Sequence, residues 1–439
     1  MTTPKIPADP ASRRAFLGGA GCMAALAGGA AGFSATADAA LHNVVIGLPN
    51  EVNVRMAGGG GPSAVGDGVA DDTDAIAEIL ARLLEAGGGR LYFPPGRYRL
   101  TRPLVIDKTV RLDIAGAGHS SLLLRDHPGH LLVWAEDTPC RECTVRGLHF
   151  ASMCAETPPE SAEIACLGGA ERSLFCDLLF RAGEGGVMGS GVLLRKVADT
   201  TSLSHCVLWG VTGTGLEIGE GSEVRVLGGR IIGFNRRTAP HPAVGILLTG
   251  NNGGVHVITT DIIGLHTAMQ IGVPGGKSNR EIFITHATID SCVHGLVQKD
   301  NAYTSIAGCW AASCDEEQIL VEESARGAIL AITGGTIFNG GAYNEPGTAN
   351  GMVVRAGSFV LSGVTVRHNK GTGLLIGDKV RDYAVTGCRI ADNGVGVRLG
   401  GDRFTFTGNV LSRNGEQLVD EAGPRRGLTG NMLGEPEKG

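Results

Sequence analysis

Asp290, His294, Glu316 and Glu317 bring proton-transferring groups of two kinds into one short stretch of the sequence. A histidine near carboxylates suits general acid–base chemistry, because imidazole changes charge near neutral pH. Two carboxylates held ~5–9.5 Å apart suit hydrolysis of a glycosidic bond. Asp290, His294 and Glu317 are therefore the candidate catalytic set, with Glu316 as an alternative second acid. Between Val224 and Gly254 lie four arginines, Arg225, Arg230, Arg236 and Arg237, and no acid. That local positive charge suits an anionic ligand, and Arg236 and Arg237 are placed to grip a carboxylate. Trp209 and Tyr343 offer flat faces for stacking, and Lys299 adds a further cation. Each residue also has a plainer reading, since a lone acid or histidine in a turn is usually just solvated. Trp209 would equally cover an apolar corner.

These residues act together only if the fold aligns them. One pattern recurs every ~20–30 residues: a strand of alternating apolar residues, a Gly-x corner, an apolar pair, a variable turn, then Gly-Leu-x-Ile. It runs through Leu203–Leu208 with Gly215-Leu216-Glu217-Ile218, and through Val226–Ile231 with Gly245-Ile246-Leu247-Leu248. It returns in Ile284–Ile289 with Gly295-Leu296. Of 70 glycines, 6 fall in the first 40 residues, leaving 64 in 399, or 16 %. Against a norm of about 7 %, that density fits many tight corners between short strands. A propeller needs about four strands per 40–50 residues, and leucine-rich repeats need an Asn/Cys ladder. Stacked rungs fit instead.

Rungs ~4.8 Å apart turn spacing into distance. Glu217 and Glu317 lie four rungs apart, about 19 Å, too far to pair. Asp290 and Glu317 lie one rung apart, with His294 between them, and Arg236 and Arg237 about 10 Å away. The long turns 235–243 and 338–350 are expected to form two walls of a groove. Cys292 and Cys314 occupy the same place in successive rungs, so either a disulfide or two stacked thiols is expected. Arg230 and Asp261 read as a surface ion pair.

Residues 1–39 read as a removable export signal. Ser12-Arg13-Arg14-Ala15-Phe16-Leu17 opens a weakly apolar Gly/Ala run that ends near Ala37-Asp38-Ala39. The paired arginines resemble the twin-arginine pathway, which carries folded cargo. Replacing Arg13 and Arg14 with lysine is expected to hold the precursor in the cytoplasm; normal periplasmic delivery of that variant would exclude this route. Removing three bases and two acids takes net charge from −6 to −7. Acidity of this kind argues against general nucleic-acid binding. No later stretch has the ~20 apolar residues of a membrane span. Ten cysteines remain in an oxidising compartment.

Residues 52–116 carry a family resemblance. Val52-Asn53-Val54-Arg55 leads to Gly66-Asp67-Gly68-Val69-Ala70-Asp71-Asp72-Thr73-Asp74-Ala75-Ile76, then Gly89-Arg90-Leu91-Tyr92-Phe93-Pro94-Pro95-Gly96-Arg97-Tyr98. This series resembles the N-terminal module of the pectate-lyase-3 group, found in polygalacturonase-like enzymes and phage tailspikes. The resemblance implies an all-β, single-stranded right-handed parallel β-helix with an N-terminal capping helix. Asp72 or Thr73 would N-cap that helix, with Ile76, Ile79, Leu80, Leu83 and Leu84 on its apolar face. Asp67, Asp71 and Asp72 read as structural. The expected organisation is 1–39 signal, 40–100 leader and capping module, and 101–439 β-helix rungs.

The resemblance also implies a substrate on the face formed by the Gly-Leu-x-Ile strand and its preceding turn. It does not supply the reaction, because the polygalacturonase N-T-D, D-D, G-H-G and R-x-K set is absent. The pectate-lyase W-x-D-H and epimerase D-P-H motifs are absent too. The expectation is an exported, periplasmic or secreted enzyme cleaving an acidic polysaccharide, as a lyase or glycoside hydrolase. A non-catalytic glycan-binding or envelope-structural β-helix is one rival, and a fructan-type transferase or hydrolase is another. No cofactor is expected; Ca2+ stays open, with no ligand motif for it identified. Monomer and homotrimer both stay open.

Overall fold

The computed structural model describes residues 50–56, 61–234, 236–238 and 241–434; the expected signal at 1–39 lies outside them. The described strands form one parallel ladder of 41 strands, wound into about 14 turns. A single rung shows the plan. Strand Glu281–Thr285 bends at left-handed His286 (φ 50°) into Thr288–Asp290. A corner opened by Ser291 (φ 58°) then leads to His294–Gln298. The next rung repeats this with Tyr303–Ala307, Gly308 (φ 60°), Trp310–Ala312, Ser313 (φ 58°) and Glu317–Val321. Register is strict: Thr285 pairs with Ala307, Asp290 with Ala312, and Leu296 with Ile319.

Glycine recurs at the bend because a β-carbon disfavours left-handed backbone. The glycine of Gly-Leu-x-Ile has another cause. A β-carbon on Gly295 would sit 2.1 Å from the Gln318 carbonyl oxygen of the next rung. Close stacking at that corner therefore needs glycine.

Alternate residues point inward and fill the core, among them Ile282, Ile284, Ile289 and Leu296. Inward aromatics stack between rungs, as in Tyr383–Phe404 with centroids 4.4 Å apart. Inward polar groups are satisfied by their copies: Asn369 Nδ2 donates to Asn393 Oδ1 (2.9 Å), and Asn393 Nδ2 to Asn414 Oδ1 (3.0 Å). Cys292 and Cys314 are stacked free thiols. Their Sγ atoms donate to the Asp290 and Ala312 carbonyls at 3.3 and 3.5 Å. One ion pair is wholly buried. Arg125 donates Nε and Nη2 to Glu163 Oε1 (3.1 and 2.9 Å), and both side chains are 0 % exposed. Arg125 also donates to the His127, Gly129 and Met188 carbonyls, while Glu163 Oε2 has no partner.

The helix Thr73–Glu85 buries Ile76, Ile79, Leu80, Leu83 and Leu84, as its spacing predicts. It packs on Gly88–Phe93 and Leu104–Ile106. Asp72 departs from expectation: it holds the N-cap position, yet its side chain makes no cap bond. Its carboxylate accepts the Val65 and Gly66 N–H groups instead (2.6 and 3.0 Å), and Asp71 takes the Thr73 N–H (3.0 Å). Asp67 accepts the Val69 and Ala70 N–H groups. All three aspartates thus shape the loop that delivers the helix. The ladder already begins within 40–100, where Glu51–Asn53 pairs with Gly88–Phe93. A chain starting after Gly116 would expose an unpaired rung and its core. It is expected to be insoluble or self-associating, and a soluble, cooperatively melting monomer would contradict the capping role.

No helix among the described residues is long and apolar enough to cross a membrane.

Candidate functional site

Glu317 and His294 occupy equivalent places in adjacent strands, because Leu296 pairs with Ile319. Their side chains meet at the corner where each strand begins: His294 Nδ1 lies 3.0 Å from Glu317 Oε2. Glu317 is only 4 % exposed, and its other oxygen lies 3.8 Å from Arg355 Nη2. A carboxylate so placed fixes the ring and leaves Nε2 free to exchange a proton. One rung before, His266 sits 5.5 Å from the His294 ring, centroid to centroid. Burial, followed by the charges of His294, Arg237 and Lys299, pushes the His266 pKa down.

Asp290 belongs to a neighbouring cluster across the three-residue corner 291–293. Its column continues to Ala312, not to Glu317. Its carboxylate accepts the Trp310 indole N–H (3.2 Å) and the Ser291 hydroxyl (2.7 Å). Ser291 Oγ also lies 2.7 Å from the Tyr343 hydroxyl. Glu316 accepts the Thr348 N–H, and Lys299 lies 3.8 Å from Glu322.

Arg236 and Arg237 turn to a residue that sequence reasoning missed. Asp315 is fully buried and accepts Arg236 Nε and Nη2 (3.1 and 3.2 Å) and Arg237 Nε (2.9 Å). Arg236 also donates to the Ser291 carbonyl and lies over the Tyr343 ring, 4.5 Å from its centroid. Arg237 donates to the Pro346 carbonyl. The two long turns therefore meet instead of standing apart as groove walls. Arg225 and Arg230 are paired as well, with Glu223 (3.1 Å) and Asp261 (2.9 Å). The positive patch read from the sequence is thus compensated, and the Arg230–Asp261 surface pair is present.

Aromatic side chains flank this region. Trp209 and Phe234, 42 % and 60 % exposed, meet edge-on at 5.5 Å. On the other side Trp310, Phe338 and His368 follow one another at 5.3 and 5.5 Å. Phe338 and His368 were legible only as members of a long turn and its neighbour.

The sequence matches two family models. Residues 53–128 match "Rhamnogalacturonase A/epimerase, pectate lyase-like", and residues 227–429 match "Periplasmic copper-binding protein (NosD)". The fold is the right-handed parallel β-helix of pectate-lyase-like proteins. Among solved structures, the Dettilon tailspike protein is similar at 16 % identity and TM-score 0.58, covering 85 % of this chain and 68 % of that one. The A-module of an Azotobacter vinelandii mannuronan C-5 epimerase is similar at 15 % identity and TM-score 0.53, covering 88 % of this chain and 100 % of that one. No curated protein matches the chain in sequence. The second family's name mentions copper. Among the described residues, no group of three or more His, Cys, Asp or Glu side chains converges as a metal site requires.

Proposed function

We propose that this pectate-lyase-like β-helix is an exported carbohydrate-active enzyme that cleaves a uronate-containing polysaccharide by β-elimination. The observation that carries the reading is the His294–Glu317 contact of 3.0 Å. In β-elimination a base removes the C5 proton while cations stabilise the charge gathering on the adjacent carboxylate. His294 is the base, oriented through Nδ1 by Glu317. Arg237 and Lys299, whose charges are felt at His266, are the nearby cations this reading assigns to that role, although each also has a carboxylate neighbour, Asp315 and Glu322. Hydrolysis is less favoured because both carboxylates it needs are committed elsewhere. Asp290 is held by Trp310 and Ser291, and Glu317 by His294 and Arg355.

Screening the mature protein on uronate and neutral glycans tests this, reading the ultraviolet absorbance of unsaturated uronate beside new reducing ends. Unsaturation supports elimination. Reducing ends without it point to hydrolysis, and neither signal removes the enzymatic reading. The exposed aromatic rows favour one second reading, glycan binding without turnover. Binding with no product of either kind would select it.

A further inference from the structure

Among the described residues, neither Arg97 nor Arg181 makes an ion pair with a carboxylate, although the ladder sets Asp67 beside Arg97. Arg97 lies on Gly96–Leu100 and Arg181 on Leu174–Ala182, both exposed. They line one cavity of about 470 Å³ together with His149, Met153 and Glu184. The ladder explains the meeting. Arg97 pairs with Leu122 and Leu122 with His149, while Arg181 pairs with Ala151 beside Leu124. The two guanidinium stems therefore start three rung steps apart, ~14 Å, and two residues offset along the strand, a span for several residues of one extended ligand rather than for a single group. Glu184 is the only carboxylate in the lining, so the cavity carries excess positive charge. His149 Nε2 is buried there without a hydrogen-bond partner. Burial and the nearby Arg181 push the His149 pKa down to about 4, so its ring is neutral at neutral pH.

Arg181 and Ala182 also line an adjoining cavity of about 300 Å³, whose other walls include Trp209, Phe234 and Arg236. The two cavities thus adjoin, with Arg181 and Ala182 as their common wall, and a trough running through both would follow this corner. Arg181 and Trp209 are paired neighbours in one column, and that column continues through Ile232 and Ile263 to Asp290.

We propose that the trough from Arg97 to Phe234 binds acidic sugar residues, with Arg97 and Arg181 gripping anionic groups and Trp209 and Phe234 stacking on a sugar face. This rests on the polysaccharide reading above and places part of the bound chain on the N-terminal side of His294 and Glu317. Guanidinium binds carboxylate and sulfate through the same bidentate chemistry, so either anionic sugar satisfies the site. Sugar–aromatic contact needs an exposed, fixed ring, which the Trp209–Phe234 pair provides.

The test is calorimetric titration of the mature protein with three oligosaccharides of about eight residues: a polyuronate, a sulfated glycan and a neutral glycan. Arg97→Ala and Arg181→Ala are each expected to weaken an acidic oligosaccharide about 10-fold, and the double variant about 100-fold. Melting should be unchanged, and the salt dependence of binding should be shallower in the double variant. Trp209→Ala should weaken the same ligand about 10-fold. The acidic probe that responds identifies carboxylate or sulfate. Wild-type affinity in the double variant, or no preference of the parent protein for either acidic probe over the neutral one, overturns the proposal. The two readings fail separately. Intact binding in the double variant alongside lost turnover in His294→Ala defeats the trough and leaves the enzyme. Arginine-dependent binding with no bond cleaved defeats the enzyme and leaves the trough.

Discussion

His294→Ala is expected to lower turnover of an acidic polysaccharide by two to four orders of magnitude, the usual contribution of a positioned general base. Its melting temperature should stay close to the parent's, because the ring is partly exposed at the first position of its strand. Glu317→Gln should cost less, about 10- to 100-fold, since glutamine keeps the shape but loses the charge that orients and supports the imidazole. Asp290→Asn separates the reaction types. Under elimination its carboxylate only holds Trp310 and Ser291, so the loss should stay within about tenfold. Under hydrolysis it is one of two required acids, and its loss should match that of His294→Ala. Full activity in His294→Ala would show that the chemistry lies elsewhere.

The largest stability effect is expected at the buried Arg125–Glu163 pair. Glu163→Gln leaves a guanidinium at 0 % exposure with no countercharge, and arginine cannot shed its proton. The expected loss is about 3–5 kcal/mol, read at neutral pH as a fall in the denaturant midpoint. Arg125→Met should behave differently, because the remaining glutamate can take up a proton. Burial already raises the Glu163 pKa, and removing the arginine removes the interaction that opposes this. A carboxyl whose folded pKa lies above its unfolded value stabilises the fold below the unfolded pKa. That stability is lost as pH rises through the folded value. Arg125→Met should therefore be nearest to the parent in mild acid and fall behind it toward neutral pH. A parent-like midpoint for Glu163→Gln, or a flat pH profile for Arg125→Met, would contradict this account.

The rungs were legible because strand alternation and the glycine of Gly-Leu-x-Ile are local rules with local causes. The capping helix was legible for the same reason, through the spacing of Ile76, Ile79, Leu80, Leu83 and Leu84. Ion pairing was not. Arg236 and Arg237 looked free because their partner, Asp315, lies three rungs onward, and no sequence window joins them. Arg97 and Arg181 looked ordinary for the converse reason, since only the ladder brings them to one cavity. Within the candidate site the gap was one of register. Aligning Gly295-Leu296 with Gln318-Ile319 sets Glu317 beside His294, whereas spacing by rung alone left Asp290 equally close. Asp72 shows the same limit at the cap, where a loop competed with the helix for its carboxylate.

The arginines that tie the two long turns together also bear on how the molecule opens. In a stack where each turn touches only its neighbours, stability is nearly a sum of local terms, and a few turns can unzip alone. Arg236 and Arg237 reach past two intermediate turns to Asp315, and one turn further to Tyr343 and Pro346. Opening any turn between them requires breaking contacts made by turns at both ends of the span. Amide hydrogens from about Arg230 to Phe338 should therefore exchange as one block, with protection rising abruptly at its borders. Asp315→Ala should dissolve that block into independent steps while leaving each strand's own pairing in place.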